Sequence, residues 1–148
     1  MSLSSIMYED VFKLTEKDPD GKKFDLVSRI MARSEYLNAE IALDVNVDIY
    51  PMEPGDKFTL ALASTLKLDG TPDDGTFDQS GEPTLANKYE YVMYGKVYKF
   101  TDSKDPDGTF KLEVFISYGG LLMMLRAEPN LLQAFDLDQR VYLLIRKV

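Results

Sequence analysis

A chain of 148 residues, 45% of them apolar, is long enough to form one domain with a substantial hydrophobic core. Its formal net charge of −8 argues against strong nucleic-acid binding by the isolated chain, although a local basic stripe is compatible with it. The absence of cysteine and histidine excludes disulfides, thiolate metal sites and histidine-based catalysis. There is no membrane-length apolar run and no signal-peptide pattern, so we expect no contact with a membrane.

Alternation of apolar and polar residues predicts about eight β-strands. In chain order they cover residues 8–14, 24–33, 41–49, 58–66, 89–100, 110–117, 121–126 and 141–147. Only residues 129–135 favour a helical turn. Many short strands separated by Pro- and Gly-containing turns are typical of a sandwich or a barrel. We favour a barrel in a single domain spanning residues 1–148, because closure removes exposed sheet edges.

The sequence KDPDG occurs twice, at residues 17–21 and 104–108, and each copy leads into a predicted strand. Either the chain contains two related halves of one barrel, or one common turn is used twice. Between the two copies, residues 69–88 are acidic, rich in Gly and Pro, and nearly free of large apolar groups. This composition predicts a mobile insertion, because it cannot bury enough surface to offset its ordering entropy.

No segment provides a convincing catalytic, metal or cofactor site. Loops starting at Glu16 and Ser103 resemble calcium-binding loops, but Val27 and Val114 replace the glutamate required at position twelve, so we interpret them as turns. The insertion contains a carboxylate cluster without the rigid support that acid–base chemistry needs, formed by Asp73, Asp74 and Asp78. We therefore predict neither enzymatic activity nor a cofactor.

Aromatic and basic residues suited to single-stranded nucleic acid share one predicted strand. They are Tyr89, Tyr91, Tyr94, Lys96, Tyr98 and Lys99. Stacking platforms and cations are what such binding needs, but Tyr91, Tyr94 and Tyr98 do not share one strand face. A stand-alone single-strand-binding module is therefore the alternative rather than the preferred hypothesis.

The segment from Ser117 to Leu125 does not fit a strand with one wet face. Gly119 and Gly120 suit a two-residue hairpin turn. Every residue from Leu121 to Leu125 is apolar, so the strand must be covered on both faces. A small barrel has one interior, which leaves two alternatives: a partner protein covers the outer face, or residues 129–135 do.

Several segments resemble a known family. The most specific are KYEYVMYGKVY at residues 88–98 and SYGGLLM at residues 117–123. Supporting segments occur in the same order at residues 18–25, 43–46, 55–58, 68–71 and 140–144. Over nearly the full chain, the sequence resembles the small eighth subunit shared by eukaryotic nuclear RNA polymerases I, II and III.

This resemblance implies an eight-stranded antiparallel barrel made of two incomplete oligonucleotide-binding-like halves, which favours the two-half interpretation of the repeat. It also implies a non-catalytic structural subunit, in the nucleus and nucleolus, that docks mainly on the largest polymerase subunit. At most, weak single-stranded DNA binding is expected. The family commonly has a basic residue at the position of Met124, so a contact that needs a cation there is not expected in this chain.

The two tyrosine-glycine segments supply the expected partner interface, because glycine permits close approach and tyrosine and methionine supply contact area. Its residues are Tyr94, Gly95, Lys96, Tyr118, Gly119, Gly120, Leu121, Leu122 and Met123.

Overall fold

The computed structural model describes residues 6–22, 24–67 and 84–148, and most of them lie in β-strands. The eight strands are β1 (Ile6–Lys17), β2 (Val27–Ser34), β3 (Glu40–Asn46), β4 (Lys57–Ala63), β5 (Tyr91–Lys104), β6 (Phe110–Tyr118), β7 (Leu121–Ala127) and β8 (Arg140–Lys147). Two short 3-10 turns, η1 (Leu85–Lys88) and η2 (Pro129–Leu132), interrupt the β-structure. Within the described ranges, no helix is both long and apolar enough to cross a membrane.

The strands form a closed antiparallel barrel in the order β1-β2-β3-β7-β6-β5-β8-β4, which confirms the predicted fold class. The order divides into two equivalent groups, β4-β1-β2-β3 and β8-β5-β6-β7, and each has the arrangement of a Greek key. The two KDPDG segments form the equivalent β1–β2 and β5–β6 turns, and Gly21 and Gly108 share a φ of +89°. Equivalent topology at the two copies favours two related halves. The halves meet at two seams, β3–β7 and β4–β8.

Alternate side chains of the strands fill the barrel interior, as the period-two pattern requires. Phe12 and Phe58 are paired across β1 and β4, are fully buried, and stack with ring centroids 6.0 Å apart. The same interior receives one set of alternate residues from every strand of both halves, including Ile30, Leu43, Leu62, Val97, Ile116, Leu125 and Leu143. One continuous core therefore stabilises both halves together.

Four predicted strand ends do not lie in the sheet, namely residues 24–26, 47–49, 64–66 and 89–90. β3 ends at Asn46, where the chain turns: the Tyr50 amide donates to the Asn46 carbonyl at 3.0 Å, and the Asp48 amide donates to the Asn46 side chain at 3.1 Å. Ile49, which continues the alternating pattern in sequence, is consequently 68% exposed. Likewise β2 begins at Val27, and Phe24 lies outside the sheet. Local turn hydrogen bonding overrides the apolar alternation at the end of β3.

The turn at residues 129–135 serves the interior rather than the outer face of β7. η2 packs mainly on β6 and β1, and both Leu132 and Phe135 join the central core. The alternative in which this turn covers the outside of residues 121–125 is therefore wrong. The outer face of β7 needs another explanation.

Candidate protein-binding surface

The outer face of the β4–β8 seam is covered by the chain itself. Ala61, Ala63 and Leu144 point away from the main core, yet each is fully buried, because Leu85 of η1 packs with them in a second, smaller cluster. The amide of Leu85 donates to the carbonyl of Leu66 at 2.7 Å. This bond fixes η1, in the linker between β4 and β5, over the β4–β8 seam. Residues 84–88, assigned to the insertion in the sequence analysis, thus form an ordered cover. The remainder of the insertion, including Asp73, Asp74 and Asp78, lies outside the described residues.

The opposite seam, β3–β7, carries an apolar row on its outer face. The strand registers place Phe115 on β6 beside Met124 on β7, Met124 beside Ala42 on β3, and Ala42 beside Met31 on β2. All four side chains are partly exposed. We call these four residues the apolar row. No described residue covers them as η1 covers the β4–β8 seam. The outer face is therefore buried at one seam and partly exposed at the other.

A polar rim borders the apolar row on one side. The Arg29 guanidinium donates two hydrogen bonds to the Asp44 carboxylate, at 2.8 and 3.1 Å, and these bonds raise the pKa of Arg29. The second Asp44 oxygen also accepts the Leu122 amide at 3.0 Å, just beyond the last β3–β7 ladder pair, Leu43 with Met123. Asp44 therefore holds the end of the open seam in place of a backbone carbonyl.

Ion pairs form the rim on the other side. Arg126 of β7 lies 2.5 Å from Asp105, 3.8 Å from Glu40 and 4.0 Å from Glu113. The nearly buried Lys111 donates to the Asn38 carbonyl at 2.7 Å and lies 3.8 Å from Asp105. Apolar side chains between two satisfied polar rims are the usual anatomy of a protein interface.

Strand β5 extends this surface with exposed aromatic and apolar side chains. Tyr98 packs against Phe115 with ring centroids 6.1 Å apart, and the Lys99 ammonium lies 5.0 Å from the same Phe115 ring. Tyr98 is 43% exposed and Leu122 is 38% exposed, so neither side chain is buried in the core. Tyr94 is 46% exposed further along β5 and packs on Tyr142.

The structure divides the expected interface residues into two groups. Exposed or partly exposed are Tyr94, Lys96, Gly119, Gly120, Leu121 and Leu122. Gly95, Tyr118 and Met123 are buried in the barrel. The Tyr118 hydroxyl faces the Met123 sulfur at 3.5 Å, and burial raises the pKa of Tyr118. The side chains of Tyr118 and Met123 are therefore parts of the core and not of the outer surface.

Gly95 has an internal role that differs from the expected one. A Cβ atom at this position would lie 2.3 Å from the Ser117 carbonyl oxygen and 2.6 Å from Cδ1 of Tyr118. The glycine thus lets β5 approach β6, rather than letting a partner approach the barrel.

The aromatic residues of β5 do not form one stacking platform. Tyr91 points inward, stacks on Tyr50 with centroids 5.2 Å apart, and its hydroxyl accepts the Asn46 amide at 3.1 Å. Tyr94 and Tyr98 are on the outside. The calcium-like segment at Asp18 is held as a turn, with the Asp18 carboxylate accepting Ser28 Oγ at 2.8 Å. Across the described ranges, no three acidic side chains gather as metal ligands.

The fold and surface define a class of protein, an eight-stranded double Greek-key barrel with one seam covered by residues 84–88 and a partly exposed apolar row at the other. The sequence model of the RNA polymerase Rpb8 family matches residues 9–147, and the chain belongs to this family.

Known relatives match over their whole length. The chain is 52% identical to the Arabidopsis thaliana "DNA-directed RNA polymerases II, IV and V subunit 8B", over 100% of both chains. It is 43% identical to the Dictyostelium discoideum "DNA-directed RNA polymerases I, II, and III subunit rpabc3", over 98% of this chain and 99% of the relative. Identity to the Saccharomyces cerevisiae "DNA-directed RNA polymerases I, II, and III subunit RPABC3" is 37%, over 98% and 100%.

Proposed function

We propose that this chain is a non-catalytic structural subunit common to the nuclear DNA-directed RNA polymerases I, II and III, and that it docks on the largest subunit. The family membership and the full-length match to shared polymerase subunits support the assignment to the transcription machinery. Such a subunit acts in the nucleus and, as part of polymerase I, in the nucleolus. The Arabidopsis relative is named for polymerases II, IV and V, so the set of assemblies served differs among relatives.

The observation that carries the docking proposal is the difference between the two seams. Leu85 buries the outer face at β4–β8, whereas Phe115, Met124 and Ala42 at β3–β7 remain partly exposed. A partner that covers the apolar row would bury its side chains at the β3–β7 seam. Removal of these side chains from water stabilises the complex. The revised docking face consists of the apolar row with Leu122 and Tyr98.

A closed barrel also restricts how the partner binds. Each of the eight strands pairs with two neighbours, so the barrel has no edge strand, and only strand ends such as residues 99–104 of β5, which pair with β6 alone, carry unpaired backbone. Docking on the apolar row therefore uses side chains on the convex outer face. Adaptable methionines at Met31 and Met124 suit such a surface.

Affinity capture tests the proposal. We expect tagged wild-type chain, expressed in cells, to recover the largest polymerase subunit, and Leu122→Asp to recover little of it, because a charge would be desolvated within the docking face. Ile49→Asp is the matched control, since Ile49 is also exposed but lies in the turn after β3, away from the apolar row. Recovery of the subunit by folded Leu122→Asp at the wild-type level would contradict docking through this face.

The alternative of a stand-alone single-strand-binding module receives less support. The relatives are named as polymerase subunits, and the β5 tyrosines are split between the interior and the outer face. Weak contact with single-stranded DNA within the assembly remains a proposal that anisotropy with oligo-dT at rising salt would test.

A further inference from the structure

Three cations lie side by side on the outside of the barrel, on the strands next to the apolar row. The registers place Lys13 of β1 opposite Arg33 of β2 and also opposite Lys57 of β4. We call these three residues the basic row. Like charges at directly opposed positions of neighbouring strands repel and destabilise a sheet. Such an arrangement in a chain of net charge −8 needs an explanation.

Among the residues that the structure describes, ion pairs neutralise the basic row only at its ends. Arg33 lies 4.0 Å from Glu40, and Lys57 lies 3.6 Å from Glu35. Lys13, in the middle, has no carboxylate within 4.0 Å among the described residues, and it is exposed. The side chains of Arg33 and Lys57 are 73% and 51% exposed, so both can accept a further anionic partner.

A groove adjoins the basic row. Val11 and Thr59, paired across β1 and β4, lie two residues along the same outer face from Lys13 and Lys57. The groove over them is bordered by Tyr36 and Leu37 of the β2–β3 loop, by Tyr89 of the η1–β5 junction and by Arg146 of β8. Glu9 and Asp10 of β1 also line it, and both are hydrogen-bonded within the barrel, Glu9 to Tyr89 and Asp10 to Tyr8.

Two tyrosines, Tyr36 and Tyr89, line the groove and provide aromatic surface there. Tyr36 is 78% exposed, a high value for a large aromatic side chain. Tyr89 is held by a hydrogen bond from its hydroxyl to Glu9 at 3.1 Å and by the Arg146 guanidinium 5.9 Å from its ring centroid. The groove thus offers aromatic contact area beside an under-neutralised cationic row.

We propose that the basic row and this groove bind an acidic segment of a partner protein. Two or more carboxylates of the segment would contact the basic row, and a neighbouring aromatic or aliphatic side chain would lie between Tyr36 and Tyr89. The inference goes beyond the proposed docking on the largest subunit, because its residues lie on β1, β4 and the end of β2 rather than at the β3–β7 seam.

The dimensions favour an acidic peptide over nucleic acid. The basic row spans two strand spacings, about 10 Å, which is enough for two or three carboxylates. A nucleic acid adds a charge with every nucleotide and would continue onto the carboxylates of Glu40 and Glu35 that flank the row. The space between the Tyr36 and Tyr89 side chains, with Val11 and Leu37 in its lining, also suits a peptide side chain.

Fluorescence anisotropy with the full chain tests the inference directly. The probe is a fluorescein-labelled peptide, EEDFEDEE, at about 50 mM salt, where screening is weak. We expect micromolar binding that weakens with salt, an affinity loss of at least about tenfold for Lys13→Glu, and a smaller loss for Lys13→Gln. Lys22→Glu, an exposed lysine in the β1–β2 turn, is the matched charge control and should bind within about twofold of wild type.

Circular dichroism and thermal melting of each variant show that it is folded. Equal binding of the peptide by wild type and folded Lys13→Glu would overturn the inference, as would no binding at low salt. A ten-nucleotide oligo-dT is the second arm. If it binds more tightly than the peptide and loses affinity in Lys13→Glu, the row is a nucleic-acid site and the acidic-segment inference is wrong. None of these readouts depends on the largest subunit, so failure here leaves the docking proposal untouched.

Discussion

Gly95→Ala should destabilise the barrel by about 3 kcal/mol, which corresponds to a fall in Tm of about 6–12 °C for a chain of this size. The new Cβ would lie 2.3 Å from the Ser117 carbonyl oxygen and 2.9 Å from its carbonyl carbon. These are backbone atoms, so no side-chain rotation relieves the clash and β5 must move away from β6. Thermal melting followed by circular dichroism measures the effect.

Gly119→Asn is the control for this substitution. Gly119 has open space around it and a φ of +62°, a left-handed conformation that asparagine tolerates. We expect it to cost less than about 1 kcal/mol. If Gly95→Ala melts at the wild-type temperature, the close approach of β5 to β6 is not a requirement of the fold.

The same substitution at the two seams should destabilise the chain to different extents. Leu85→Asp is expected to destabilise the chain by about 3 kcal/mol, because it places a charge where a leucine that is only 7% exposed covers Ala61, Ala63 and Leu144. If η1 detaches from the barrel, the new carboxylate reaches water, and this limits the loss of folding free energy to about this value. Leu122→Asp, at the open seam, should cost about 1 kcal/mol or less, since Leu122 already reaches solvent.

Chemical denaturation of both variants measures this contrast, and Leu85→Ala separates the loss of apolar contact from the burial of a charge. Nearly equal destabilisation at the two positions would show that Leu85 does not bury the outer face of the β4–β8 seam more fully than Leu122 is buried at the β3–β7 seam. A Leu122→Asp variant that is stable but fails to dock is the combination that the structure favours.

Much of the fold follows from local sequence patterns. Alternation identified all eight strands, and the turn-forming KDPDG segments marked the β1–β2 and β5–β6 hairpins. Strand ends were less accurate, as at Ile49, because a short turn at Asn46 takes the chain out of the sheet before the apolar alternation stops. The period of a pattern reports burial, whereas a strand end depends on which hydrogen bonds close the turn.

The candidate surface was only partly accessible to sequence reasoning. The continuous apolar run at residues 121–125 signalled a second covered face, and Leu122 and Met124 do lie on the outside. Their neighbours Phe115, Ala42 and Met31 come from three other strands, so only the registers reveal them. Each belongs to a strand whose own pattern reads as ordinary alternation.

Sequence patterns did not predict whether Gly95 and Tyr118 lie inside or outside the barrel. Gly95 and Tyr118 are neighbours across the β5–β6 pair, and the bulky ring occupies the space that the missing Cβ leaves. In sequence, the two residues belong to separate tyrosine-glycine motifs that suggest one external surface. Inward and outward positions on β5 are also shifted by the bulge between Val97 and Lys99, which no local pattern indicates.

Hydroxyl-radical footprinting of the free chain and of the assembled polymerase tests the central claim most directly. We expect oxidation of Phe115, Leu122 and Met124 to fall strongly on assembly, while Ile49, which is 68% exposed in the free chain, keeps its reactivity. Unchanged oxidation of Phe115, Leu122 and Met124 in the assembled polymerase, with protection confined to another face of the barrel, would contradict docking through the open β3–β7 seam.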